Sequence, residues 1–366
     1  MSRDDLLLIT MQPEFSRPAL AELNKLVKHL TANELAPGLI LCNIEGNTEG
    51  NTEDVTALTQ RVAKARPIFV RHLAPVQTIV DLTNDEQDIG TMATALATLP
   101  TMALLERGTP FAVQSRMIQT EKNPSFKRLY SSGLLNRTLA EAFAEETGAI
   151  EAIKKPQVII SILCTELQGY LGISTAEDNL SSWPGGARHF AQTTEQISRA
   201  EFKLLEALEV FNITLPSSGR ALDLGAAPGG WTRLLLAAGM HVIAVDPARL
   251  DPRLAKQAHL EHYCGYAENY LEQISPKHSK FDLIVNDMRM DAREAARILS
   301  RAAVFLHKDG IVLSVLKLPH ATVQIDPLRT LKEALSILNK SYGVVQAHQL
   351  FHNRQEVTVA AAQPLV

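Results

Sequence analysis

Leu222-Asp-Leu-Gly-Ala-Ala-Pro-Gly-Gly-Trp-Thr232 is the stretch on which the reading of this chain turns. It follows a short apolar run, 220–224, and opens a helical pattern over 229–238. Glycines in such a turn let the backbone approach a ligand without a Cβ in the way. A dinucleotide fingerprint requires a second glycine where Ala227 stands, so that match fails. A Walker loop requires Gly-Lys-Ser/Thr, but Trp231 follows Gly230. An inert strand-to-helix turn explains the string poorly, because Asp223 inside a strand and Pro228-Gly-Gly230 at a helix start are costly without a purpose. Outward from this loop, helix 197–209 precedes it. Strand 241–245, strand 281–286, helix 290–306, strand 311–316 and helix 327–340 follow. Strands alternating with helices predict a parallel, doubly wound α/β sheet. The last two strands, 343–348 and 355–361, have no helix between them and predict an antiparallel hairpin at the edge.

The 366 residues carry 36 basic and 40 acidic side chains, a net charge of −4, which excludes a histone-like polycation but not a local nucleic-acid patch. Hydrophobic residues make up 46%, enough for two or three packed cores. Cys42, Cys164 and Cys264 lie too far apart for metal-ligand spacing, so no metal is expected. No signal-like or membrane-spanning run is present, and the expectation is a soluble, cytoplasmic protein. The predicted organisation is a small α+β domain over 1–100, a second unit over 101–175, a linker over 176–195 and the doubly wound domain over 196–366. In the first two units, strands are expected at 6–11, 39–44, 67–72, 111–116 and 158–163, and helices at 18–31, 55–64, 84–98 and 133–147.

From Arg107 to Arg137 six basic residues stand against one acid, with Phe126 and Tyr130 between them. Arg116, Lys122, Lys127, Arg128 and Arg137 are candidate RNA phosphate contacts, and a solvated loop explains the same charges equally well. Arg188, after Trp183-Pro-Gly-Gly186, is a further candidate. Four other charges fall at element ends: Lys203 on the helix before the first strand, Asp287 after strand 281–286, Lys317 after strand 311–316 and Glu356 at the start of the last strand. Ligands of open α/β sheets bind beyond the carboxyl ends of the strands, where Asp287 and Lys317 project. Taken singly, each reads as a cap, a snorkelling lysine or an edge charge. Taken together they form a Lys–Asp–Lys–Glu set.

The loop resembles the S-adenosylmethionine loop of class I methyltransferases. The four-charge set, with Gln196-Ile-Ser-Arg-Ala-Glu-Phe-Lys-Leu-Leu-Glu206, Leu316-Lys-Leu-Pro319 and Arg354-Gln-Glu-Val-Thr-Val359, resembles the FtsJ-like RNA ribose 2′-O-methyltransferases, most closely their RlmM branch. That resemblance covers about residues 178–362. Residues 105–175 more weakly resemble a THUMP RNA-binding module, preceded by a ferredoxin-like unit. The resemblance implies a class I, Rossmann-like fold using S-adenosyl-L-methionine to methylate an RNA ribose, in 23S rRNA or an assembling ribosome. It implies Lys317 as general base, its pKa lowered by burial and Lys203, with Lys203, Asp287 and Glu356 around it. It implies that Ser198, Asp223, Gly225, Ala227, Pro228, Gly229, Gly230, Trp231 and Asp287 cradle the cofactor, with Asp246 on the ribose, 21 residues after Gly225. Tyr266 stands where the family carries an acid near the adenine. Two rivals remain. A base methyltransferase would carry an Asn/Asp-Pro-Pro-aromatic string where Asn286-Asp-Met-Arg289 stands, or a nucleophilic cysteine, for which Cys264 is badly placed. A non-catalytic RNA-binding or assembly factor would show a degraded loop or a broken charge set.

Overall fold

The computed structural model describes residues 5–27, 29–44, 55–119, 126–322 and 326–365, and these form two compact units, Met1–Arg188 and His189–Val366. The first unit runs β1 (Asp5–Thr10), α1 (Ser16–Leu26), β2 (Leu30–Ala36), β3 (Leu39–Ile44), α2 (Val55–Ala65), β4 (His72–Val76), β5 (Thr78–Asp81), α3 (Gln87–Ala97), β6 (Pro110–Met117), α4 (Ser132–Thr147), β7 (Ile150–Glu151), β8 (Val158–Cys164) and β9 (Gln168–Thr175). Its strands make a four-stranded sheet, β2-β3-β1-β4, and a five-stranded sheet, β5-β9-β8-β6-β7. Every residue of β8 is buried, as an unbroken Val/Ile/Leu run requires. Helix α4 starts where the Ser131 hydroxyl accepts the Leu134 amide at 3.1 Å and stops at Gly148, whose φ is 74°.

The two sheets divide between β4 and β5, not near residue 100, because β5 pairs with β9 and α3 packs into the same apolar cluster as Phe111, Leu135 and Ile160. The helix expected over 18–31 ends at Leu26, and the chain turns into β2, a polar, largely exposed edge strand with no alternation to betray it. The strand expected at 67–72 forms later, as β4. Strand β9, to which the sequence reading assigns no element, runs antiparallel to β8. Its Gly172 is set by contact: a Cβ there would stand 2.0 Å from the Pro75 carbonyl oxygen. The polar segment 45–54 lies outside the described residues.

The second unit runs α5 (Ala200–Val210), β10 (Arg220–Leu224), α6 (Gly230–Ala237), β11 (His241–Val245), β12 (Leu260–Tyr263), α7 (Ala267–Gln273), β13 (Phe281–Asn286), α8 (Ala292–Ala302), β14 (Leu306–Lys317), α9 (Pro327–Leu338), β15 (Tyr342–His348) and β16 (Glu356–Pro364). One seven-stranded sheet has the order β12-β11-β10-β13-β14-β16-β15. Neighbours from β12 through β14 are parallel, and β16 is antiparallel to both β14 and β15. The final hairpin therefore folds as expected, with β16 inserted between β14 and the edge strand β15. The strand order reverses between β10 and β13, and such a switch point opens a crevice at the carboxyl ends of the strands. Beneath it, Leu222, Leu224, Ile284, Val285, Leu313 and Val315 are wholly buried.

Candidate active site

Strand register assembles the charge set. In the antiparallel pairing of β14 with β16, Lys317 lies directly opposite Glu356. Asp287 follows β13, whose Asn286 pairs with Leu224 at the end of β10. Buried Asn286 fixes the turn: its amide donates to Ser314 Oγ at 2.8 Å, and its Oδ1 accepts the Met288 amide at 3.0 Å. Lys203 arrives from α5. Its Nζ donates to Glu356 Oε1 at 2.9 Å and stands 3.5 Å from Asp287 Oδ1. Lys317 Nζ donates to Glu356 Oε1 at 2.8 Å and to Asp287 Oδ1. Two ammonium groups thus share two carboxylates, all four side chains being about four-fifths buried.

Burial alone would pull Lys317 down, but Asp287 and Glu356 outweigh it and hold its pKa above the ordinary lysine value. This corrects the expected depression: the sequence shows the second lysine, whereas the fold places two carboxylates closer. Burial likewise pushes Glu356 up, and Lys317 and Lys203 reverse that, holding it at about 2.

These residues line a cavity of about 980 Å³ together with Ser198, Asp223, Gly225, Ala227, Pro228, Gly230 and Trp231. Gly225 has φ 76°, and a Cβ there would meet the Met288 backbone at 2.9 Å, so the turn tolerates no side chain. Asp223 is buried and accepts the Thr232 hydroxyl at 2.6 Å. Burial, helped by Asp287 and Asp246, pushes its pKa to about 7 against that hydrogen bond. Buried Ser198 Oγ has no partner among the described residues. A cavity of this size, walled by a bare glycine turn and open polar groups, fits a nucleoside-sized, amino-acid-bearing cofactor.

Three expected cofactor contacts lie off the cavity lining. Asp246 accepts the Ala227 amide at 3.1 Å and the Ala248 amide at 2.7 Å, so it buttresses the turn while each oxygen keeps a free lone pair. Gly229 precedes α6 with φ 108°. Tyr266 is 64% exposed at the start of α7.

The candidate RNA contacts of the first unit are scattered. Lys127 and Arg137 are exposed, and Lys122 lies outside the described residues. Arg128 is spent inside the fold: it donates to Asn84 Oδ1 at 2.8 and 3.1 Å and to the Thr165 carbonyl, and covers Phe126 and Tyr130. Arg116 donates to Thr10 Oγ1 at 3.2 Å, and burial lowers its pKa to about 10. Arg188 is only 6% exposed. Arg116, Arg128 and Arg188 therefore do not form the open basic surface expected from their spacing.

Sequence reading passed over six further lining residues: Arg199, Phe202, Arg289, Phe351, His352 and Arg354. It also missed Glu206, whose buried carboxylate accepts the Phe351 and His352 amides at 2.7 and 2.9 Å and pairs with His352 Nδ1 at 2.8 Å. A carboxylate on the hydrophobic face of α5, three residues beyond Lys203, was the available signal.

The reversed seven-stranded sheet and the glycine turn define a class I, Rossmann-like, S-adenosylmethionine-dependent methyltransferase domain. Residues 196–340 match the family described as FtsJ-like methyltransferase. Among curated relatives, "Ribosomal RNA large subunit methyltransferase M" of Histophilus somni (strain 2336) is 31% identical over 230 residues, 60% of this chain and 62% of that protein. The protein of the same name from Halorhodospira halophila (strain DSM 244 / SL1) is 34% identical over 190 residues, 49% of this chain and 51% of that one. The alignments thus span between half and three-fifths of these relatives. The solved structure of TrmN from Thermus thermophilus covers 98% of this chain and 99% of its own at 16% identity and a TM-score of 0.40, a likeness too slight to support an inference.

Proposed function

We propose that this protein transfers the methyl group of S-adenosylmethionine to a ribose 2′-oxygen of RNA, with 23S rRNA or an assembling large ribosomal subunit as substrate. The observation that carries this reading is the meeting of Lys317, Asp287, Glu356 and Lys203 in one cavity beside the glycine turn. The relatives' names support the choice of ribosomal RNA. Among the described residues no helix is long and apolar enough to cross a membrane, and we place the reaction in the cytoplasm.

When bound, the cofactor supplies a methyl carbon on a positively charged sulfur, an electrophile that needs no further activation. The acceptor needs more help, because a ribose hydroxyl is a poor nucleophile until its proton leaves. Lys317 takes that proton on Nζ while the oxygen bonds to the methyl carbon and the carbon–sulfur bond breaks. Lys317 must first lose its own proton, and Asp287 and Glu356 oppose this. With a cationic donor held in the same cavity, like charge would oppose the Lys317 ammonium and favour its neutral form. Asp287 and Glu356 hold Nζ in place, and Lys203 shares Glu356 Oε1, so a second ammonium meets part of that carboxylate's charge. The remaining acceleration is positioning of oxygen, carbon and sulfur in line.

The first unit, by its α+β sheets and exposed Lys127 and Arg137, is proposed as the RNA-holding part, divided into ferredoxin-like and THUMP-like halves. The test is incubation of ribosomal RNA with isotopically labelled S-adenosylmethionine, followed by mass spectrometry of nucleosides. A 2′-O-methylnucleoside is the expected product, and a base-methylated nucleoside overturns the reading.

A further inference from the structure

We infer that the outer wall of the active-site cavity is a single-stranded RNA subsite, in which an aromatic face takes the base of the acceptor nucleotide and three arginines take neighbouring phosphates. The inference rests on RNA being the acceptor and names the side chains that would hold it. Helix α5 presents Phe202 beside Lys203, so the aromatic face and the charge set share one rigid element. Phe202 meets the His352 ring at 5.3 Å between centroids, and His352 meets Phe351 at 5.2 Å nearly edge-on. Phe190 stacks on Phe202 at 6.0 Å and 20°. None of Phe202, Phe351 and His352 is fully buried, although rings of this kind in a fold's interior would be.

The wall is held in place. Buried Glu206 ties the Phe351 and His352 amides and the His352 ring to α5. Asn353 Oδ1, also buried, accepts the Leu350 amide at 2.9 Å and the Thr358 hydroxyl at 2.9 Å, closing the same loop. Burying a carboxylate is expensive, and here it is used to fix half-buried rings on the cavity wall.

The rim is cationic. Arg199, Arg289 and Arg354 line the cavity and are exposed, and none of their guanidinium groups makes an ion pair or hydrogen bond among the described residues. The cavity's acids, by contrast, are engaged inside: Asp287 and Glu356 by the two lysines, Asp223 by Thr232. Free guanidiniums around an aromatic face match a phosphodiester chain with an unstacked base, the combination used for single strands. A duplex would keep the base stacked away from the wall and its 2′-oxygen away from Lys317.

The test uses the full chain loaded with S-adenosylhomocysteine and a fluorescein-labelled, single-stranded RNA of about 12 nucleotides, read by anisotropy at several salt concentrations. Arg199→Ala, Arg289→Ala and Arg354→Ala are each expected to flatten the slope of log K against log salt by about 0.7. Phe202→Leu keeps apolar bulk but removes the π-face, and is expected to weaken binding about 5- to 150-fold, while Phe202→Tyr restores it. Calorimetry with S-adenosylhomocysteine checks that the cavity stays folded in each variant. Unchanged salt slopes, or Phe202→Leu binding as tightly as wild type, overturn the subsite while leaving the RNA reading intact. A wild-type protein that binds S-adenosylhomocysteine but no RNA overturns both.

Discussion

Glu356 offers the most quantitative test of the charge set, because one carboxylate serves two lysines. Its pKa falls from 4.5 to about 2, because Lys317 and Lys203 outweigh the cost of its burial. A fall of roughly 2.5 at about 1.36 kcal/mol per unit gives about 3 kcal/mol. The sign follows from the protons. Between pH 2 and 4.5 the unfolded chain binds a proton that the folded chain refuses, so stability rises with pH in that window. The contribution is complete above the unfolded pKa and is lost as pH falls through the folded one. Glu356→Gln mimics the protonated form at every pH. Wild type should therefore exceed the variant by up to about 3 kcal/mol at pH 6–7, with the gap closing toward pH 2. Urea unfolding of both proteins across that range, followed by Trp231 fluorescence in a Trp183→Phe background, measures it. A gap that stays constant with pH would refute the reasoning, since a merely structural glutamate loses the same packing whatever its charge.

Asp223 should behave in the opposite sense: its folded pKa is raised to about 7, so its contribution declines as pH rises from about 4 to 7. Asp223→Asn should therefore gain on wild type over that range in unfolding experiments, and a parallel pair of curves would contradict this. Gly225→Ala should cost at least about 1 kcal/mol from its left-handed backbone and contact with Met288, and calorimetry should find S-adenosylmethionine binding lost. Methyl transfer should accelerate about tenfold per pH unit on the acid side of the Lys317 pKa, and a flat profile between pH 6 and 9 in single-turnover kinetics would argue against a lysine base.

The methyltransferase half was legible because its information is local. A bare glycine turn after an apolar strand, and charges at strand ends, report a crevice that the sheet's topology then supplies. Lys317 opposite Glu356 is a matter of register between two nearly continuous buried runs, where no inside-outside alternation marks the pairing. The Lys317 pKa was misjudged because the balance of two carboxylates against burial depends on distances that no spacing reveals. Glu206 and His352 meet across 146 residues, so neither could announce the other. In the first unit, β2 lacks the apolar alternation of a half-buried strand, and β9 carries glycines that resemble turn signals but serve close backbone packing. Arg116 and Arg188 illustrate the remaining limit: charge counting finds arginines but not which of them the fold takes inside.

The central claim is that the Lys317 amine removes the proton of a sugar hydroxyl. Its most direct test is single-turnover transfer from labelled S-adenosylmethionine to ribosomal RNA by wild type and Lys317→Ala, with the RNA then digested in alkali. The account predicts label in an alkali-resistant dinucleotide with wild type and none with the variant, although both bind the cofactor. Label in that dinucleotide from Lys317→Ala, at a rate comparable to wild type, would contradict it.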